Sequence, residues 1–210
     1  MPFSPFGRRS LAERHAQPGL TWVTLALAAC AGAVIAWSLP PEWLEWQPAL
    51  VGSQPWRAYT AAFVHYSGLH LGANLAGGVL VAALGWSARI PWSSTLAWLG
   101  AWPTLHLVLL VQPALRHYGG LSGLWHAGVA VVGVHLLWRG APRARWIGGA
   151  LLVGLLVKVL AEAPWAGPVR YAAGWDIAIA PLAHASGAAA GVVWALLMNG
   201  WARRRRQQPA

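Results

Sequence analysis

Six apolar stretches dominate this chain, at about 20–39, 69–87, 91–111, 121–138, 146–162 and 177–200, and almost no charge interrupts them. A helix that crosses roughly 30 Å of bilayer hydrocarbon needs about 20 mostly apolar residues, because it rises about 1.5 Å per residue. Each stretch meets or approaches that length. The pattern predicts an all-α membrane protein, a bundle of six transmembrane helices. Composition excludes the soluble alternative: 10% of the 210 residues are charged, against about 25% in an ordinary soluble domain. The single cysteine, Cys30, lies inside the first stretch, which leaves no disulfide framework and no cysteine metal site.

A net charge of +10 first suggests nucleic acid, but the arginines sit between the apolar stretches. One side would carry Arg8, Arg9, Arg14, Arg89, Arg139, Arg143, Arg145 and the run Arg203 to Arg206, and the other only Arg57, Arg116 and Arg170. The cytoplasmic loops between membrane spans collect such positive charge. The asymmetry predicts that both termini are cytoplasmic, that the tetra-arginine run is a topological anchor, and that no nucleic acid is bound. The expected organisation is a cytoplasmic segment over 1–19, a single membrane domain over 20–200 and a basic tail over 201–210. The first stretch exceeds the 7–15 residues of a signal-peptide core, so it is expected to stay as an anchor.

Sixteen tryptophans need an explanation. Trp22, Trp37, Trp86, Trp92, Trp138, Trp146, Trp165 and Trp201 fall near the expected helix ends, where aromatic belts form. Interface anchoring is therefore expected of them. The connection over 40–68, with Trp43, Trp46 and Trp56 among its prolines, is expected to lie in the headgroup region.

Polar side chains inside apolar spans are costly and usually face the bundle interior or a wet cavity. His70 and Asn74 stand in the second stretch, Ser122 and His126 in the fourth, and His184 in the sixth. Ser122 precedes Trp138 by 16 residues and His184 precedes Trp201 by 17. Both counts correspond to roughly 25 Å of helix. Asn74 comes out near 18 Å by the same rise, and His70 returns to the serine's level. A hydroxyl, an amide and imidazoles thus converge on one layer from three separate helices.

Ser122 stands in Gly119-Gly120-Leu121-Ser122-Gly123, at the expected start of a helix. Glycine lets backbone approach a substrate closely, and the first N–H groups of a helix lack intrahelical acceptors, which suits an oxyanion. A serine hydroxyl becomes nucleophilic when a base takes its proton, and a neutral histidine, ordinarily titrating near pH 6.5, is the usual partner. His126, one helical turn after the serine, and His184 both qualify by position.

These motifs resemble those of rhomboid-family intramembrane serine proteases over nearly the whole chain. Trp56-Arg57 resembles the family's W-R pair in the first outer loop. His70-Leu71-Gly72-Ala73-Asn74 is similar to its H-x-x-x-N, and Gly120-Leu121-Ser122-Gly123 to its G-x-S-G. The segment Ala183 to Gly191 is similar to A-H-x-x-G-x-x-x-G. The resemblance implies a catalytic Ser122–His184 dyad without a third acid, and no cofactor or metal. His70, Asn74 and the backbone around Gly120, Leu121 and Ser122 would hold the oxyanion and position substrate. Gly187 and Gly191 would let the sixth helix close on the fourth. His126 replaces a tyrosine common in the family. With the G-G-L-S-G-L-W-H run and the minimal body, it looks like the rhombosortase subgroup, and a role beside the dyad is expected for it. That subgroup implies substrates that are secreted proteins tethered by a C-terminal transmembrane tail with a Gly-Gly signature. It also implies a bacterial inner membrane location, with the site opening to the periplasmic side.

The other histidines receive plainer expectations. His65 is expected at the surface, with the cavity mouth as the alternative, His106 and His135 in interhelical hydrogen bonds rather than on a metal, and His15 and His117 in loops. Asp176 is expected to cap the sixth helix. Two other functions compete. A histidine-lined transporter lacks mid-span carboxylates, and no H-E-x-x-H supports a zinc protease. A catalytically inactive rhomboid-like protein that binds membrane helices shares every motif and is separated only by activity.

Overall fold

A computed structural model describes residues 17–207. Arg8, Arg9, Arg14 and His15 lie outside the described residues, as does most of the expected N-terminal segment. Seven α-helices follow: α1 (Leu20–Ala36), α2 (Arg57–Thr60), α3 (Gly68–Ser87), α4 (Trp92–Val108), α5 (Ser122–Arg139), α6 (Pro142–Ala161) and α7 (Pro181–Gln207). No β-strand occurs among the described residues. Four segments are long and apolar enough to cross a bilayer: Gly68–Ser87, Trp92–Val111, Pro142–Ala161 and Pro181–Ala202.

The remaining two expected spans have physical reasons to differ. Helix α1 is apolar but has only 17 residues. Helix α5 carries His126, His135 and Arg139, which lower its hydropathy, and it is the most buried helix of the set. A helix enclosed by other helices can afford polar groups that a lipid-facing one cannot.

Small residues set how closely the helices approach. In α1 the buried face is Trp22, Ala26, Ala29, Ala33 and Ala36, spaced by alternating four and three residues, so one stripe faces α3 and α4. Between α5 and α7 the approach is closer still. A Cβ at Gly187 would collide with the Gly123 carbonyl, and one at Gly191 with the Ala127 carbonyl. Such small-residue contacts let helix backbones pack by van der Waals attraction where no hydrophobic force acts between them.

The indoles divide into two groups, which corrects the uniform belt expectation. Trp37, Trp86, Trp92, Trp138, Trp146 and Trp165 are exposed at the bundle surface. Trp22, expected in the belt, is fully buried, together with Trp46 and Trp98. Trp22 stacks on Trp98 with centroids 4.1 Å apart, in space left by Gly85 and Gly128. Each buried N–H also finds a helix carbonyl: Trp22 Nε1 donates to Val81 O at 2.9 Å, and Trp98 Nε1 to Leu124 O at 2.8 Å. An indole with its one donor satisfied is a large apolar filler, and the interior suits it.

The connection from α1 to α3 is a folded element. Arg57 is buried and acts as its keystone. Its Nη1 donates to Glu45 O at 2.7 Å, its Nη2 to Glu42 O at 2.9 Å and its Nε to Gln54 Oε1 at 2.6 Å. Trp46 and Tyr118 exchange backbone hydrogen bonds, and Gly120 N–H donates to Ala61 O at 3.0 Å. The loop preceding α5 is thereby tied to the α1–α3 connection. That tie fixes where Ser122 begins.

Candidate active site

Ser122 is the first residue of α5, and His184 is the fourth of α7. The close α5–α7 packing brings Ser122 Oγ to 2.9 Å from His184 Nε2. On the other side of the ring, His184 Nδ1 lies 2.7 Å from Glu162 Oε2. An ionised carboxylate only accepts hydrogen bonds, so Nδ1 carries the proton and donates to it. In the neutral ring Nε2 is then an acceptor, and the hydrogen bond at the serine runs from Oγ–H to Nε2.

His126 is oriented differently. Its Nδ1 is 2.6 Å from the Ser122 backbone oxygen, an acceptor, so Nδ1 donates. Its Nε2 is buried without a hydrogen-bond partner. The ring lies flat against that of His184. Of His126 and His184, His184 alone has a nitrogen hydrogen-bonded to Ser122 Oγ.

The opposite wall is built from α3. Ser67 caps this helix by accepting from His70 N–H at 3.0 Å. The Tyr66 backbone N–H donates to His70 Nδ1 at 3.4 Å, which leaves the neutral ring's proton on Nε2. That nitrogen points at Gly120, where a Cβ would lie only 2.7 Å away. Gly120 has φ +129°, a conformation open to glycine and strained for other residues. Asn74 is buried; its Nδ2 donates to His70 O at 3.1 Å, and its own carbonyl accepts from Trp125 Nε1 at 2.9 Å. The amide of Asn74 keeps one further N–H for another acceptor. His70, Asn74, Gly120 and the start of α5 thus form one side of the pocket, with the buried Leu121 behind.

Two cavities meet at this cluster. One, of ≈ 450 Å³, is walled by Ser122, His184, His70 and the loop residues Tyr171, Asp176 and Ile177. The other, of ≈ 420 Å³, is lined by the same three side chains and by Asn74, Lys158 and Glu162. Gly77, Trp125, His126 and Lys158 line this second cavity and also an apolar groove of ≈ 610 Å³ between α3, α5 and α6.

Several expectations need correction. His65 is buried, with Nδ1 3.1 Å from Phe63 O and its ring 4.6 Å from that of His70. Asp176 precedes α7 by five residues, and its carboxylate accepts instead from Ser67 Oγ at 2.7 Å, joining the α7 approach to the α3 cap. His106 bonds within its own helix, to Trp102 O at 3.1 Å, and its ring also faces the Ala58 backbone of α2, on the interhelical side that was expected. Glu162 is the residue that motif comparison missed, since the resemblance implied no third acid. Its place was legible, a carboxylate closing the fifth stretch at the end of the bundle that holds Ser122 and His184, but its partner was not. Among the described residues no group of three or more His, Cys, Asp or Glu side chains could hold a metal ion.

Comparison with known proteins places the chain in no family. No protein-family model matches it, and no curated protein matches it.

Proposed function

We propose that this chain is a rhomboid-like intramembrane serine endopeptidase of six membrane spans, with both termini cytoplasmic. The observation that carries the reading is the 2.9 Å contact between Ser122 Oγ and His184 Nε2 at the start of a helix inside an apolar bundle. A serine hydroxyl that donates to a histidine acceptor, beside oriented N–H donors, is an arrangement suited to acyl transfer.

In the proposed reaction Ser122 Oγ attacks a peptide carbonyl carbon as its proton passes to His184 Nε2. The carbonyl oxygen becomes an oxyanion, facing the His70 Nε2–H, an Asn74 N–H and the first amides of α5. The C–N bond then breaks, and the proton on His184 goes to the leaving amine. Water, or an amine, attacks the resulting ester as His184 takes its proton; the bond from Ser122 Oγ to the acyl carbon then breaks, and the proton returns from His184 to Oγ. The apolar groove beside the second cavity fits a substrate segment that arrives as a membrane helix. This supports the narrower reading of a rhombosortase-like enzyme, acting on proteins with an apolar C-terminal tail at the periplasmic side of a bacterial inner membrane.

Purified protein in lipid nanodiscs, supplied with a reporter bearing a Gly-Gly-tailed transmembrane segment, tests the reading. Cleavage by the wild type and none by Ser122→Ala is expected. An uncleaved reporter that still binds would favour the inactive helix-binding protein, and serine-independent cleavage would refute the mechanism. For the six-span topology, His117→Cys and Arg170→Cys in a Cys30→Ala background should react with an impermeant thiol reagent outside sealed cells. Pro142→Cys should not react.

A further inference from the structure

The Lys158–Glu162 pair has the i,i+4 spacing of an ordinary surface ion pair on a helix, and such pairs usually point outward and contribute little. In this one Lys158 stands at the surface, but the carboxylate turns inward. The Glu162 side chain is only 16% exposed and uses both oxygens. Oε1 accepts from Lys158 Nζ at 2.7 Å and Oε2 from His184 Nδ1 at 2.7 Å. The carboxylate thereby reaches from the end of α6 to α7, two helices that otherwise touch little. Drawing a carboxylate partly out of water is costly unless its lone pairs find donors, and here both oxygens have one.

We propose that Glu162 is a positioning residue for the Ser122–His184 pair, its carboxylate fixing the orientation and tautomer of the His184 imidazole while Lys158 holds the carboxylate in place. The inference rests on the serine protease reading above and adds a third member to the dyad. The ring is constrained in two independent ways. His126 stacks on one face within 8° of parallel, which sets the ring plane. Glu162 anchors Nδ1, which sets the rotation within that plane and aims the Nε2 lone pair at Ser122. When Nε2 takes the serine proton, the ring becomes an imidazolium, and an adjacent carboxylate stabilises that charge as it forms. Lys158 also lines the apolar groove, so the anchor of this arrangement stands where a substrate helix would lie.

The test compares wild type, Glu162→Gln, Glu162→Asp and Ser122→Ala in nanodiscs, with kcat and KM on the tailed reporter. Glutamine can present an N–H to Nδ1 and favour the wrong tautomer, so kcat should fall by ~10²-fold or more with KM little changed. The other groups around His184 are unchanged in that variant: His126 from α5, His70 from α3 and Lys158 from α6. Glu162→Asp keeps the charge and should recover part of kcat. If Glu162→Gln does not fold, Glu162→Asp carries the test through a reduced kcat with KM little changed. Wild-type kcat in whichever variants fold would overturn the role of Glu162 and leave the serine mechanism standing, provided that Ser122→Ala is inactive. Cleavage by Ser122→Ala would instead overturn the mechanism itself.

Discussion

The imidazole rings of His126 and His184 are stacked, their centroids 4.3 Å apart and their planes within 8° of parallel. The two rings look interchangeable by position, yet their hydrogen bonds give them different chemistry. His126 Nδ1 is committed to the Ser122 carbonyl, whereas His184 Nε2 faces the Ser122 hydroxyl. His126→Tyr keeps an aromatic face against His184 and should leave measurable proteolysis of a Gly-Gly-tailed reporter. His184→Tyr should leave none. The reverse result would place the base on the serine's own helix.

Gly187 sets the distance between the serine and its base. Its missing Cβ is occupied by the Gly123 carbonyl, one residue after Ser122. Gly187→Ala should push α7 from α5, lower stability by about 1–3 kcal/mol and reduce kcat more than KM. Thermal unfolding in nanodiscs and steady-state kinetics check both. Unchanged stability would mean that the approach is looser than described.

Asn74 and Gly120 test the oxyanion wall from two directions. Asn74→Ala removes a donor and should lower kcat about 10²–10³-fold. Gly120→Ala keeps every donor but strains a φ of +129° and sets a methyl group against His70 Nε2. It should also lower kcat, with Ser122 still open to a small phosphonate. Cleavage at wild-type rate by both variants would remove this wall from the mechanism.

The Glu162 carboxyl gives a pH signature in stability. Burial raises it, but the hydrogen bonds and charges of His184 and Lys158 outweigh burial and draw it from 4.5 to about 2. A carboxyl lowered in the folded state stabilises the fold fully above its unfolded value, and loses that contribution as pH falls through the folded one. The stability gap between wild type and Glu162→Gln should therefore hold above pH 4.5 and close as pH falls toward about 2. A gap independent of pH would mean that the carboxylate's charge is not what matters.

Four of the six expected spans were legible, and so was the convergence of His70, Asn74, Ser122 and His184 on one cavity, because both follow from a fixed rise per residue. Counting from Trp138 and Trp201 places Ser122 and His184 in one layer, and the packing of α5 on α7 sets them in contact. The partnership of Glu162 was hidden, because it depends on how α6 leans toward α7, which no spacing within one helix encodes. The interior tryptophans were hidden for a related reason. Trp22 lies near a helix end in sequence, but Gly85 across the interface opens the space that buries it. Helix-to-helix complementarity decides such cases, and it is written in two distant positions at once.

The most direct measurement is labelling by a serine-directed fluorophosphonate, with the modified residue located by mass spectrometry. A single adduct on Ser122 is expected in the wild type, and strongly reduced labelling in His184→Ala. Labelling of Ser122 in His184→Ala at the wild-type rate, or no adduct on Ser122 in the wild type, would contradict the serine mechanism.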